Sequence, residues 1–476
     1  MPERPVLTPE ILRWLPWVVA IAFFMQSLDG TILNTALPAM ASDLKENPLR
    51  MQGVIVAYML TVALLIPASG WIADRFGTKK IFFSAILLFS LGSLLCALSG
   101  TLNELIAARV LQGLGGALMV PVGRLVVLKA YPRSELVRIM GFITIPGLLG
   151  PLIGPTLGGW MVQYLSWHWI FLINLPVGML GCWAVWKMIP DLRGDGRSRF
   201  DAWGFLLFGA AMVFITIAME GLGELHMPHL RVMLLLFAGL ACLAAYWLRA
   251  ANISNPLFSP TLFKTKTFAV GILGNLFARL GSGALPFLVP LLLQVALGYS
   301  PSDAGMSMLP LAAAAMLAKW GARPLIERLG YRTILTGNTL ALGIMLASMG
   351  LVTAQTPYPL LLTMLAILGA INSLQFTAMN TVTLIDLDDA SASSGNSLLS
   401  VVAQLSLSLG VACAGALLGG FSGDGAGDDV HTVLGAFQLT FLTVGIMAML
   451  AAAIFLQLSP QDGRKPKANS EHELDH

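Results

Sequence analysis

The chain has 476 residues, 56% of them hydrophobic and only 11% charged, with a mean hydropathy of +0.78. A soluble protein of this size carries roughly a quarter charged residues, so a water-soluble globule is excluded, and no stretch is long enough for a separate soluble domain. The net charge of +3 says little by itself; its placement carries the information.

Apolar runs recur from Pro16 to Leu456, each long enough to cross a hydrocarbon core of about 30 Å as a helix. Fourteen spans are predicted, near 16–40, 51–73, 81–99, 103–127, 139–163, 169–188, 202–220, 230–249, 267–296, 303–322, 333–352, 358–380, 395–420 and 432–457. The chain therefore reads as an all-α polytopic membrane protein. An even count puts both termini on one side, and 21 of the 28 basic residues fall there against 3 on the other. By the positive-inside rule the crowded side is cytoplasmic. The loop 381–394 breaks the pattern, since it carries only Asp386, Asp388 and Asp389. Four cations, Arg109, Arg124, Arg279 and Lys319, lie inside spans.

The first span ends on Ala39-Met40-Ala41, which has the small-x-small look of a signal cleavage site. The apolar run before it is too long for a signal segment and contains Asp29, so it reads as a retained helix. Its residues Gln26, Asp29 and Asn34 share one helical face. Lipid cannot satisfy such a polar stripe, so it points to the protein interior. In the fourth span Arg109, Gln112 and Gly116 share a face. Asp29 lies about 20 Å from the start of its helix and Arg109 about 9 Å from the opposite start of its own. These depths nearly coincide, so the two charges are expected to face one another and lower each other's burial cost. A static structural pair is the alternative to a functional one.

In the fifth span, GLLGPLIGPTLGGW (147–160) spaces Gly150, Gly154 and Gly158 four apart, with Gly159 beside them. Glycines at that spacing make a flat face for close helix approach, while Pro151 and Pro155 each remove a backbone donor and bend the helix. After the sixth span comes the polar break DLRGDGRSRFD (191–201). The predicted plan is a six-helix bundle over 1–190, a linker with two further spans over 191–266, a second six-helix bundle over 267–457, and a disordered cytoplasmic tail over 458–476. GWIADRFGTKK (70–80) and PLIERLGYRTI (324–334) follow the second span of each six. Both carry acid-Arg-x-Gly, a faint internal repeat of the kind transporters are built from.

In the second half Asn275 and Arg279 form a stripe in span nine. Asn372 and Gln375 do so with Asn380 in span twelve, and Gln404 lies among serines in span thirteen. Each alone is more often interhelical glue than a ligand site; together they outline a hydrated cavity. The 23 Met residues suit a soft, repackable surface. The four cysteines lie far apart within spans and imply neither a disulfide framework nor a metal cluster.

Three motifs are set aside. HELDH (472–476) matches a zinc-protease pattern, but it is the end of a polar tail with no third ligand. GLGGAL (113–118) has no preceding strand and lies inside a span. GGFSGDGAGDD (419–429) lacks calcium-loop spacing. No phosphate-binding loop is present, so ATP hydrolysis in this chain is not the expected energy source.

GWIADRFGTKK resembles the cytoplasmic loop signature of the major facilitator superfamily, G-x-x-x-D-R-x-G-x-[RK]-[RK]. LDGTILNTALP (28–38), LIAARVLQGLGGA (105–117), GLLGPLIGPTLGG and WHWIFLINLP (167–176) resemble, in order, further motifs of its fourteen-span drug:proton antiporter family (EmrB/QacA-type). The resemblance covers the first 190 residues closely and the second half more loosely. It implies the major facilitator fold, with Asp29 the protonatable and substrate-linked acid and Arg109 taking part in proton coupling. It also implies a gating latch of Gly70, Asp74, Arg75 and Gly77, with Glu327 and Arg328 as second-half counterparts. Gly150, Gly154, Pro155, Gly158 and Gly159 would shape the antiporter helix. The second half departs from the pattern: Glu327 replaces the Asp, and Arg323 stands where Gly70 stands.

The expected function is proton-driven export of lipophilic or cationic drugs across a bacterial inner membrane, not enzymatic catalysis. Expected partners are the small molecule, protons and lipid, with no nucleic acid, no cofactor and a monomeric chain. Transport of a specific metabolite by uniport or exchange is the nearest alternative, and a non-transporting membrane sensor or scaffold the alternative of another class.

Overall fold

The computed structural model describes residues 9–48, 51–189, 191–192, 200–223, 228–422 and 430–462. HELDH, residues 463–476 of the expected tail and most of the 419–429 turn lie outside them. The described chain is helical, and its long helices are α1 (Pro9–Ile32), α2 (Gln52–Phe76), α3 (Thr78–Ala97), α4 (Leu102–Ala130), α5 (Arg133–Tyr164), α6 (Asn174–Met188) and α7 (Ala202–Gly223). The series continues with α8 (His229–Ala250), α9 (Lys266–Gly283), α10 (Leu309–Leu329), α11 (Tyr331–Met349), α12 (Tyr358–Leu384), α13 (Asp389–Ser422) and α14 (Val430–Phe455). Among the described residues, twelve segments are long and apolar enough to cross a membrane. The expected fourteen is thus met in twelve. The other two predicted spans coincide with α10 and α11, whose Lys319, Arg323, Glu327 and Arg328, and Arg332 with its polar neighbours, dilute the apolar run.

Several predicted elements change shape. The first span is not one helix: a 3-10 turn at Leu33–Thr35 follows α1, and a short helix, Leu37–Asp43, starts again with Pro38 at its N-terminus. Proline cannot donate to the preceding turn, which is why the helix breaks there. The ninth span bends the same way, with Leu285–Leu291 carrying Pro286 and Pro290 and a π-turn at Leu292–Ala296. The predicted acidic loop 381–394 is mostly helix, since α12 runs to Leu384 and α13 starts at Asp389. Asp388 caps α13 by accepting the Ser391 N–H at 2.9 Å, which satisfies an otherwise orphaned donor. That bonding holds the Asp388 carboxyl below the usual carboxylate range.

Helix pairing follows the same pattern twice. In the first half α1 lies along α5, α2 along α4 and α3 against α6; in the second, α9 lies along α13, α10 along α12 and α11 against α14. Contacts between the halves run from α2 to α13, and from α5 to α10 and the short helix Pro301–Ser307. The pair α7–α8 leans on α13. Its Leu230, Met233, Leu234, Phe237 and Leu240 stay exposed on one face of α8, the signature of a helix turned to lipid rather than to a core.

The α1–α5 contact shows how the sequence sets this packing. A Cβ on Gly150, Gly154 or Gly158 would collide with Ser27, Thr31 or Ile32 of the facing chain. Pro151 leaves the Gly147 carbonyl without its helical donor, and the Ser27 hydroxyl supplies one at 2.5 Å. Thr31 Oγ1 donates likewise to the Gly150 carbonyl at 3.1 Å, and Thr35 Oγ1 to the Pro155 carbonyl at 3.2 Å. Gly154→Leu is therefore expected to wedge α1 from α5 and lower stability by about 1–3 kcal/mol, as overpacking does. The thermal midpoint of purified protein checks this; a midpoint equal to wild type would refute the close contact.

Candidate functional site

Four helices and the turn into a fifth deliver polar groups to one buried point. From α1 comes Asp29, 1% exposed; from α4 come Arg109, also 1% exposed, and Gln112 one turn on. Ser93 on α3, Tyr58 on α2 and Asn174 at the start of α6 complete the shell, all buried. Arg109 Nη1 donates to Asp29 Oδ2 at 2.7 Å and to Gln112 Oε1 at 2.6 Å. Its Nε donates to the Val54 carbonyl at 3.3 Å, and the guanidinium lies 4.3 Å over the Tyr58 ring. Gln112 Nε2 donates to Asp29 Oδ1 at 2.7 Å, and Asn174 Nδ2 donates to the same oxygen at 3.2 Å. Asn174 and Gln112 also donate to Ser93 Oγ, which passes its own proton to the Phe171 carbonyl at 3.1 Å.

Charge explains the density of these bonds. An ion pair removed from water is tolerated only when its remaining lone pairs and protons are satisfied as well. Here three N–H donors converge on the two Asp29 oxygens. A proton on Oδ2, which accepts a single N–H, would cancel the negative charge that holds Arg109.

The predicted residues divide among separate places. Asp29, Arg109 and Gln112 meet as described. Gln26 is half-buried one turn before Asp29. Asn34 instead lines a cavity of about 120 Å³ between the halves, with Thr31, Pro155, Ser282, Met308 and Asn372. Gln375 does not share that cavity. It joins α12 to α11, accepting from Asn338 at 2.9 Å and donating to Thr339 at 2.7 Å. Asn275 accepts from Arg279 Nε at 2.9 Å, and Arg279 reaches Asn380 at 3.2 Å. Gln404 is half-buried on α13. Sequence reading passed over Asn174, Ser93 and Tyr58. Asn174 had a usable signal, an amide inside the apolar run IFLINLP.

At the end rich in cations, Gly77 takes φ +93° between α2 and α3, and Gly330 takes φ +79° between α10 and α11. Only glycine adopts this region without strain. Asp74 pairs with Lys129 of the same bundle at 2.6 Å, and Arg75 lies 5.6 Å over Trp71. In the second half Glu327 pairs with Arg323 at 2.8 Å in the open. The Glu327–Arg323 pair, the two residues that depart from the family pattern, thus forms an ion pair of its own one turn long. Gly70 has open space around it, while Gly159 is pressed on the Pro301 carbonyl at the opposite end. There Thr156 Oγ1 donates to the Gly305 carbonyl at 3.2 Å, and the Ser302 N–H to Gln163 Oε1 at 3.1 Å.

Residues 19–411 and 272–475 match the model of the Major Facilitator Superfamily. Relatives named "Putative multidrug resistance protein MdtD" include one from Pectobacterium atrosepticum, 48% identical over 95% of this chain and 97% of its own. Another, from Serratia proteamaculans, is 50% identical over 94% of each. Similar solved structures include a bacterial homolog of the human lysosomal transporter Spinster in an inward-facing, unoccupied conformation. It has a TM-score of 0.68 at 17% identity, covering 94% of this chain and 97% of that one. A POT family transporter in complex with 5-aminolevulinic acid has a TM-score of 0.69 at 15% identity, covering 95% and 97%. At those identities the likeness shows the fold.

Proposed function

The chain belongs to the Major Facilitator Superfamily, and on that premise we propose that it exports lipophilic small molecules by exchange for protons, with Asp29 as the proton carrier. It is an integral membrane transporter, not an enzyme. The multidrug names of its relatives support drug-like cargo. The observation that carries the proton reading is the buried Asp29–Arg109 pair with its three converging donors. In the proposed cycle Asp29 takes a proton from the outer side, its hold on Arg109 weakens with the loss of charge, and the α1–α4–α6 contacts shift the bundle toward its other opening. Release of the proton to the inner side restores the pair. Asp29 does not line the cavity between the halves, so in this cycle it acts on cargo through helix position.

We further propose the fourteen-span subtype, with α10 and α11 crossing as well, because their pairing with α12 and α14 repeats that of α2 and α3 with α4 and α6. The cation-rich end is then cytoplasmic, in the bacterial inner membrane, with both termini on that side. The contacts of Gly159, Thr156 and Gln163 with Pro301–Gly305 form the outer seal, and the C-terminal ends of α2 and α10, with Asp74 and Glu327, belong to the inner latch.

Everted vesicles with an acid lumen test the exchange. Adding a transported compound is expected to raise the lumen pH in wild type, because protons leave as cargo enters. Cargo accumulation that is indifferent to the gradient would favour uniport and overturn the proposal.

A further inference from the structure

Arg279 is a second buried cation, 3% exposed, and its surroundings differ from those of Arg109. Among the described residues it has no carboxylate partner. Its Nε–H goes to Asn275 Oδ1 and one Nη2–H to Asn380 Oδ1, so three of its five N–H donors are left over. The guanidinium also lies over the face of Phe376, with the ring centroid 4.2 Å from Cζ. A guanidinium held by amides and one ring keeps its full charge, and burying such a charge uncompensated is expensive.

Its position gives that charge a use. Ser282 lies three residues after Arg279 on α9, and Asn372 lies four before Phe376 on α12; both line the cavity between the halves. At helical spacing Arg279 and Phe376 therefore sit one turn beyond the cavity, and Asn380 two turns beyond it, on the same faces. Phe376 is 43% exposed, with the guanidinium over its face. Among the described residues no acid lines this cavity, and Asp29 is spoken for by Arg109, Gln112 and Asn174.

We propose that Arg279 is the receptor for an oxyanion, a carboxylate or its like, borne by the exported compound. The guanidinium fork matches a carboxylate with two parallel N–H bonds, and those left-over donors are what such a group needs. Cargo enters at Asn34, Ser282 and Asn372, its anionic group displaces the Phe376 ring, and the charge of Arg279 is neutralised only in the loaded state. The inference rests on the export reading for the direction of movement but not for binding.

Fluorescein and rhodamine 123 share one ring scaffold, the first with a free carboxylate and the second cationic with that group esterified. Fluorescence anisotropy with the purified full-length protein in detergent compares them without any pH gradient. Failure of proton exchange in vesicles therefore leaves this test standing, and failure here leaves exchange standing. Wild type is expected to bind fluorescein more tightly than rhodamine 123. Arg279→Gln is expected to weaken fluorescein about ten- to a hundredfold, the worth of charge-assisted hydrogen bonds, while still binding rhodamine 123, which shows an intact fold. Arg279→Lys keeps the charge, loses the fork, and is expected to fall between them. The proposal is overturned if wild type prefers rhodamine 123 or fails to bind fluorescein, or if neither substitution changes fluorescein affinity.

Discussion

Asp29→Asn is expected to reduce proton-driven efflux to the level of vesicles without the protein. Asparagine fills the same space but cannot cycle a proton, and its amide would point a donor at Arg109, Gln112 or Asn174, each of which already donates to that position. Arg109 is left buried without a counter-charge, a loss of up to about 3–5 kcal/mol when one partner of a buried pair is removed. Membrane insertion is expected to survive, because eleven other candidate spans are untouched by the change. Efflux and protein level must be read together. Wild-type export by a normally inserted Asp29→Asn protein would mean that the pair is structural only.

Arg109→Gln is expected to be the most destabilising single change at this site. It removes the bonds to Asp29, Gln112 and the Val54 carbonyl together with the stacking on Tyr58, and it strands a buried carboxylate, again at about 3–5 kcal/mol. The double variant Asp29→Asn/Arg109→Gln removes both charges at once. It is expected to recover about 0.5–3 kcal/mol relative to the sum of the single losses, the usual coupling between residues in one network, while remaining inactive in efflux. Thermal midpoints of the four proteins give the cycle. Strict additivity would show that the two side chains do not depend on each other.

Much of this arrangement could be read before any coordinates. Helix spacing put Asp29 and Gln26 on one face and Arg109 with Gln112 on another, and simple depth counting brought the two charges level. Asn174 was missed because spacing within one helix cannot reveal which helix end will reach a neighbour's carboxylate. For the same reason the polar stripe of α12 looked like one cavity wall, although Asn372, Gln375 and Asn380 serve the cavity, α11 and Arg279 in turn. The broken first and ninth spans escaped because an apolar run signals burial whether or not Pro38, Pro286 or Pro290 interrupts its hydrogen bonds. Charge at the cation-rich end of α10 had the opposite effect, since a helix of full length falls short of the apolarity of its neighbours.

Infrared difference spectra of the protein in lipid, recorded as pH is stepped, bear most directly on whether Asp29 gains and loses a proton. A protonated-carboxyl band is expected to grow in as the medium is acidified, to shift when a transported compound is added, and to be missing in Asp29→Asn. Identical spectra from wild type and Asp29→Asn at every pH would mean a carboxyl fixed in one form, and the exchange of cargo for protons at this site would have to be abandoned.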